Sequence, residues 1–179
     1  YELLNLEAAR VPKGSDGVIL LPYFMGERSP IWDPKARGMF FGLSLYHTRA
    51  HMFRAILEGI AYALEHHAVL LRDKGMMPKR ITVTDGGAAS AIARQAFADV
   101  LRVPIDYASK VAGAPVADAF LAGLAVGLFK RVDEIKNWVN LDITNEHDPS
   151  VADMYQKLFN IYVNLYKNTK GEMHALADL

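Results

Sequence analysis

The residues in this sequence best suited to bind a ligand form a turn with two adjacent glycines, Asp85-Gly86-Gly87-Ala88. An alternating stretch before it, Arg80–Thr84, predicts a strand, and an apolar-periodic stretch after it, from about Ala88 to Arg102, predicts a helix. Glycines let the backbone approach a ligand, and the first amides of the helix are unpaired donors at the positive end of its dipole. An anion or a nucleotide could rest there. A tight strand-to-helix turn also needs glycine for its own geometry, so the pattern alone leaves a purely structural role open.

Other arrangements that would carry chemistry are missing or weak. Neither the Rossmann nor the P-loop glycine spacing occurs, and the sequence has no Cys, which excludes disulfides, thiolate nucleophiles and Cys-based metal sites. His47 and His51 stand four residues apart without an evident third ligand, so we predict no metal site. Glu58 and Asp99 lie among apolar residues of predicted helices. Their setting favours helix-surface or interdomain hydrogen bonding over acid–base catalysis.

The composition is that of an ordinary globular protein. The 179 residues carry 20 Lys and Arg against 20 Asp and Glu, and 51% of them are hydrophobic. This neutral balance gives no sequence-wide argument for a nucleic-acid or membrane partner. The longest strongly apolar stretch without charge, Ala119–Phe129, is far shorter than the about 20 residues that span a membrane, and no export signal is visible. We predict a cytoplasmic protein, and because the first residue is Tyr1 rather than Met, we expect a fragment of a longer chain.

The elements that must position the turn alternate between strand and helix, which predicts an α/β fold with helices covering a sheet. Apolar runs predict strands at Val18–Phe24 and Gly38–Leu45. The longest helix runs from Arg49 to about Lys74, and its predicted apolar face steps by three and four residues through Phe53, Leu57, Ile60, Leu64, His67 and Leu71. Later in the chain the pattern predicts a strand at Val103–Tyr107 and a helix of small residues at Gly113–Lys130.

The last part of the chain predicts one more helix. Asp133–Asn145 is mixed and polar and carries no predicted element. Asp148-Pro149 has the signature of a helix start, an N-cap followed by proline. We expect the tail after Gly171 to fray. The helix between Asp148-Pro149 and Gly171 has an apolar stripe, which favours core packing over a stacking platform for bases. The stripe consists of Val151, Met154, Tyr155, Leu158, Tyr162, Leu165 and Tyr166.

Four stretches together carry a family resemblance. The first is Leu21–Pro30, followed by Trp32-Asp33-Pro34, and the second is Gly38–Leu43 with His51–Glu58 behind it. The third is the double-glycine turn followed by Arg94-Gln95, Ala98-Asp99 and Val103-Pro104, and the fourth is the small-residue segment Ala112–Gly127. In this order they span nearly residues 18–130 and resemble the C-terminal domain of the FGGY carbohydrate kinases, the sugar-kinase branch of the actin, hexokinase and Hsp70-like ATPases.

The resemblance implies a ribonuclease-H-like, actin-like ATPase domain with a sheet covered by helices, here without its first strands. In that family two such domains flank a cleft. The N-terminal domain holds most sugar contacts and the catalytic Asp, and the C-terminal domain contributes much of the ATP site. Residues 1–179 would then be most of the C-terminal ATP-binding domain. The sugar-binding domain would be absent and the catalytic base would lie upstream of residue 1, so we expect the fragment alone to be inactive.

The same resemblance implies which residues bind the nucleotide: Gly86, Gly87, Ala88 and Ala91. Gly87 and Ala88 would contact it through backbone atoms, with Gly86 allowing the turn. The family often has a polar residue where this sequence has Ala91, with Ser90 beside it, so backbone or apolar contact is expected there. The small-residue helix also departs from the family's run of Ala and Gly, at Pro115 and Asp118.

The predicted function is therefore phosphorylation of a small sugar by ATP with Mg²⁺. The loop Gly26–Pro30 and the run Trp32–Gly38 look most similar to xylulose-kinase and gluconate-kinase members, with xylulose the first choice. The expected partners are the sugar and the N-terminal domain of the same protein, and a homodimer is left open. Two rivals are a non-catalytic actin-like nucleotide-binding module and a methyltransferase-like domain, the latter disfavoured because no earlier glycine-rich turn exists.

Overall fold

The chain alternates helices with short strands. The computed structural model describes residues 1–84, 86–109, 113–141 and 143–179. Its helices are α1 (Glu2–Ala8), α2 (Arg49–Asp73), α3 (Ala91–Leu101), α4 (Gly113–Ala125) and α5 (Ala152–Ala177). Its strands are β1 (Ile19–Leu21), β2 (Met39–Phe41), β3 (Ile81–Val83), β4 (Ile105–Tyr107) and β5 (Ile143–Asn145). Short 3-10 helices cover Ser15–Gly17, Gly86–Ala89, Val132–Trp138 and Pro149–Val151.

The strands form two small sheets in the part of the chain that the structure describes. β1 and β2 are antiparallel, with Leu20 opposite Phe40. β4 lies between β3 and β5, parallel to β3 and antiparallel to β5. Pro104 directly precedes β4, where its missing N–H removes no bond from the strand, while its carbonyl accepts a hydrogen bond from the Ile81 amide at 3.1 Å.

The first two strands are shorter than predicted. β1 ends at Leu21 because Pro22 follows it and has no N–H to donate to a ladder. β2 ends at Phe41 because Gly42 takes the left-handed conformation, with φ of 89°. A Cβ at Gly42 would lie 2.6 Å from the carbonyl oxygen of Gly17, so glycine is required there.

Strand β5 has no counterpart among the strands predicted from the sequence. Its residues Ile143, Thr144 and Asn145 form no apolar run, and this strand is the exposed edge of the three-stranded sheet. The pairing is instead supported by a polar contact, because the Thr144 hydroxyl donates to the Asp106 carboxylate on β4 at 2.6 Å.

The extent of α2 confirms the prediction, and its predicted apolar face is buried at Leu57 and partly buried at Phe53, but the apolar residues of that face beyond them are exposed. Ile60 and Leu64 are each 40% exposed, whereas Ala61 and Tyr62 are buried. The helix can pack closely against β1 because residue 59 is glycine. A Cβ there would lie 2.7 Å from the Leu20 carbonyl oxygen on β1. Besides Leu57 and Tyr62, its buried residues are small or charged, namely Arg54, Ala55, Glu58, Gly59, Ala61, Glu65 and Ala68.

The second half of the predicted face of α2 lines an apolar groove. Leu64, His67 and Leu71 form one side of a concavity of about 200 Å³. Its other side is apolar as well and comes from Met77, Pro78, Ile81, Val83, Phe97, Leu101 and Ile105.

Helices α3 and α4 are also shorter than predicted. α3 begins at Ala91 rather than Ala88, because the double-glycine turn forms a separate 3-10 helix. α4 ends at Ala125 rather than Lys130 because Gly127 is left-handed, with φ of 77°. The Leu128 amide then donates to the Gly123 carbonyl at 2.8 Å, a common helix ending. Ala112, the start of the segment that resembles the family's small-residue helix, lies outside the described residues.

The terminal helix α5 closes the core. Asp148 caps the turn before it, as predicted, by accepting from the Ser150 amide at 3.0 Å. The three tyrosines of its apolar stripe, Tyr155, Tyr162 and Tyr166, are buried. The Tyr23 hydroxyl donates to the Tyr162 hydroxyl at 2.8 Å. The expectation that the tail frays after Gly171 is wrong, because α5 continues to Ala177 with Met173 buried against the core. In the described part of the chain, no helix combines the length and apolarity needed to span a bilayer.

Candidate functional site

The double-glycine turn lies between β3 and α3. β3 ends at Val83, Asp85 lies outside the described residues, and the 3-10 helix Gly86–Ala89 leads into α3. Strand and helix therefore fix the turn from both sides. The positive end of the α3 dipole lies at its exit.

The described part of the turn is open to solvent at both glycines. Gly86 and Gly87 are exposed, and a Cβ added to either would have no heavy atom within 4 Å. Gly87 does not adopt the left-handed conformation, so neither φ nor crowding within this chain requires glycine there. Ala91 is exposed at the first turn of α3, whereas the Ala88 side chain is only 6% exposed and packs inward.

Ser90 explains why α3 starts later than predicted. Its hydroxyl accepts from the Ala93 amide at 3.3 Å, which makes it the N-cap, and it donates to the Asn5 side chain at 2.5 Å. Both contacts are within the chain. Ser90 is thus a cap that fixes the helix start.

Arg94 underlies the turn and was noted in the sequence only as part of a family pattern. The side chain is 5% exposed, and one guanidinium nitrogen donates to the carbonyl oxygens of Ala88 at 2.6 Å and of Ala89 at 2.9 Å. Its Nε donates to the Asn145 side chain at 3.1 Å, and its guanidinium carbon lies 4.6 Å from the Tyr107 ring centroid. Apart from the family pattern, the sequence signal was a charged residue in a helix whose predicted face is apolar.

A polar network extends from Arg94 to the start of α5. Asn145 donates to the Gln95 side chain at 3.1 Å, and Gln95 donates to the Asp99 carboxylate at 2.8 Å. Asp99 also accepts from the Asp148 amide at 2.8 Å and pairs with Lys13 at 2.8 Å. Asp99 is therefore buried within one network, and the expectation that it lies on a helix surface or between domains is wrong.

Comparison with known proteins decides the family. The sequence model of one family, the C-terminal domain of the FGGY family of carbohydrate kinases, matches residues 1–135, which is most of the chain. The chain belongs to the FGGY family of carbohydrate kinases.

Relatives of this FGGY domain include kinases for two sugars. The chain is 35% identical to a xylulose kinase of Staphylococcus epidermidis, with 94% of this chain and 34% of the relative aligned. It is also 35% identical to a gluconokinase of Bacillus subtilis, with 99% of this chain and 35% of the relative aligned. The chain thus spans about a third of the length of the curated relatives it matches.

The fold is likewise that of FGGY kinases. The crystal structure of a ligand-bound xylulose kinase from Lactobacillus acidophilus superposes with a TM-score of 0.86 at 34% identity, over 98% of this chain and 36% of that one. This likeness confirms the predicted α/β, actin-like ATPase fold class.

Glu58 in this FGGY domain is structural and does not lie on the helix surface as the sequence suggested. It is 1% exposed and accepts from the Arg54 guanidinium, the Gly14 amide and the Tyr155 hydroxyl, each at 2.9 Å. The Ser15 hydroxyl donates to its second oxygen, also at 2.9 Å. Burial and the nearby Glu58 charge raise the pKa of Tyr155. With its oxygens occupied by these donors, Glu58 joins α2, α5 and the Gly14 loop.

Asp33 joins the Trp32-Asp33-Pro34 loop to α5. The Tyr166 hydroxyl donates to its carboxylate at 2.7 Å and the His174 ring nitrogen lies 2.8 Å away. Burial raises the pKa of Asp33, but the hydrogen bonds from His174, Tyr166 and the Lys35 amide outweigh it and bring the pKa to about 2. The carboxylate is thus an anchor for the loop.

The turn lies outside the two concavities formed by described residues next to α1 and beside β3. A concavity of about 420 Å³ is lined by Glu7, Arg10, Val11, Pro12, Thr48, Arg49, Ala50 and His51, and neither it nor the apolar groove includes the four predicted nucleotide contacts. His51 lies 3.2 Å from the Asp16 carboxylate. Among the residues that the structure describes, no three His, Asp or Glu side chains are placed to hold a metal ion.

Proposed function

We propose that this chain is the C-terminal, ATP-binding part of a kinase that transfers the γ-phosphoryl group of ATP to a hydroxyl of xylulose. The observation that carries the proposal is the open turn at Gly86 and Gly87, on the strand–turn–helix unit of an FGGY domain. An added Cβ would have free space at both positions. A bound phosphate or ribose can therefore approach the backbone closely.

The four predicted contacts divide by what each can offer a nucleotide. Gly86 and Gly87 offer exposed backbone, and Ala91 offers a small side chain at the positive end of α3. Ala88 packs its side chain inward, so only its backbone is available. These groups would hold and orient ATP, which supplies the transferable phosphoryl group.

Catalysis of phosphoryl transfer depends mostly on positioning and charge neutralisation. The described residues of this chain would contribute positioning only. In this proposal Mg²⁺ accompanies the phosphates and is not held by a cage of these residues. The base that takes the proton from the sugar hydroxyl belongs to the part of the protein outside this chain.

Two observations support a partner domain from the same protein. The chain spans about a third of its curated relatives. In addition, α4 and the segment after it expose large apolar side chains at Leu121, Val126 and Leu128. In the proposed cytoplasmic enzyme, the sugar-binding N-terminal domain supplies most sugar contacts.

Xylulose is proposed ahead of gluconate. The Staphylococcus epidermidis relative and the Lactobacillus acidophilus structure are named for xylulose, and the Bacillus subtilis relative is named for gluconate. Gluconate is therefore the second candidate.

The test uses the native protein that contains this sequence, called the intact protein below. ADP release is measured with ATP and xylulose, gluconate or glycerol as acceptor, and with no acceptor as the blank. We expect turnover that depends on xylulose, with gluconate poorer, and none from these 179 residues alone. Nucleotide binding without transfer to any of the three acceptors would support the non-catalytic module instead.

A further inference from the structure

Arg94 caps the double-glycine turn from inside the protein. The 3-10 helix Gly86–Ala89 ends with the carbonyls of Ala88 and Ala89, and one Arg94 nitrogen donates to both. Carbonyls at the end of a short helix otherwise need water or another donor. A basic side chain at this end donates to these carbonyls and interacts favourably with the negative end of the helix dipole.

This cap fixes the direction of the peptide planes. In a trans peptide the carbonyl and the following N–H point in opposite directions. The carbonyls held by the guanidinium thus orient the amides of Ala89 and Ser90 away from it, and the Ser90 amide donates to the Gly87 carbonyl at 3.4 Å. The Arg94 contact is in this way passed on to the exposed glycine backbone.

The guanidinium is itself held by the sheet. It lies against the Tyr107 ring on β4, 4.6 Å from the centroid, and donates to the Asn145 side chain on β5 at 3.1 Å. Stacking on an aromatic face and forked donation suit a planar guanidinium better than a lysine ammonium. Arg94 thereby links the position of the turn to two strands.

We propose that Arg94 is a positioning residue for the nucleotide, one that presets the backbone of Gly86–Ala89 without touching the ligand. The inference rests on the proposed function, because it concerns the same site. It also makes Asn145 a second positioning residue that acts through Arg94.

The test is Arg94→Lys in the intact protein. Lysine keeps the positive charge but replaces the planar fork by a single ammonium. We expect the Kd for ADP, measured by calorimetry, and the KM for ATP to rise about tenfold or more. The KM for the sugar should stay within about twofold, because the sugar contacts lie elsewhere. Arg94→Met should weaken ADP binding further, so that the lysine variant counts as partial rescue.

Two further variants separate positioning from folding. Arg102→Lys changes an exposed arginine at the end of the same helix and should leave both constants unchanged. Asn145→Ala keeps Arg94 but removes its β5 partner, together with the contact to Gln95. It should raise the Kd for ADP a few-fold and leave the KM for the sugar unchanged, with a small fall in the thermal midpoint.

An unchanged Kd for ADP in Arg94→Lys and Asn145→Ala overturns the inference. Equal rises in the KM for ATP and for sugar also overturn it, because they indicate a general structural role and not an effect on the nucleotide site. If the wild-type intact protein binds ADP but transfers no phosphate, the kinase proposal fails and the positioning role is still decided by the Kd values. If the wild type does not bind ADP, both proposals fail.

Discussion

The buried carboxylates of this domain serve as anchors. Glu58 has four donors, and Asp99 is held by Gln95, Lys13 and the Asp148 amide. A buried carboxylate whose oxygens are engaged by several donors is held in one position by them. Each of these groups therefore holds elements together instead of exchanging protons with a substrate.

Asp33 gives this interpretation a pH signature. Its pKa in the folded state is about 2, below the ordinary 3.8, so its stabilising effect is complete above about pH 4 and is lost as pH falls toward 2. We expect Asp33→Asn to have a lower free energy of unfolding than the wild type at pH 5. This gap between the two proteins should shrink by about 2 kcal/mol between pH 5 and pH 2. Chemical unfolding across this range measures the gap.

A matched control for Asp33 is Glu172→Gln, which removes an exposed carboxylate from the same region of α5. Its effect on the free energy of unfolding should be small. A gap between Asp33→Asn and wild type that stays constant from pH 5 to pH 2 would contradict the role given to the Asp33 charge.

At the scale of elements, the last turns of α5 are part of the core. Met173 is 4% exposed and His174 reaches Asp33, so the helix end fastens the Trp32 loop. We expect Met173→Ala to lower the free energy of unfolding by about 2 to 4 kcal/mol, because it leaves a cavity. Leu176→Ala, three residues on and 63% exposed, should cost less than about 1 kcal/mol.

Urea unfolding of the two variants makes the comparison. Equal and small losses for Met173→Ala and Leu176→Ala would indicate that the tail frays, as the sequence alone suggested.

Long helices and the fold class were predictable from the sequence because their signals are local. The periodicity of α2 and the Asp148-Pro149 start before α5 depend on residues a few positions apart. The burial of Glu58 and the strand β5 were not predictable in this way. Glu58 needs Tyr155, 97 residues away, and Thr144 on β5 needs Asp106, 38 residues away.

The candidate site divides in the same manner. Gly86, Gly87, Ala88 and Ala91 were predicted because the double-glycine pattern and its resemblance are continuous in sequence. The role of Arg94 was missed because its partner Asn145 is 51 residues away, on a strand that the pattern did not indicate. The sequence therefore predicts the surface of the turn but not its support.

At the scale of the whole molecule, the chain provides one side of a proposed two-domain enzyme. It spans about a third of its curated relatives and leaves an apolar groove beside β3, lined in part by Leu64, Ile81 and Val83. The proposed division of labour is nucleotide positioning here and sugar binding with proton transfer elsewhere. A change at the turn should therefore affect ATP and spare the sugar.

The most direct test of this division is the pair of KM values of the intact protein carrying Gly87→Val. Open space around Gly87 and its ordinary φ allow the larger side chain without strain in the fold. We expect the KM for ATP to rise at least about tenfold and the KM for xylulose to stay within about twofold. Gly171→Val, which also enters open space, is the control and should change neither value. Equal rises in both KM values, or no rise for ATP, would contradict the account.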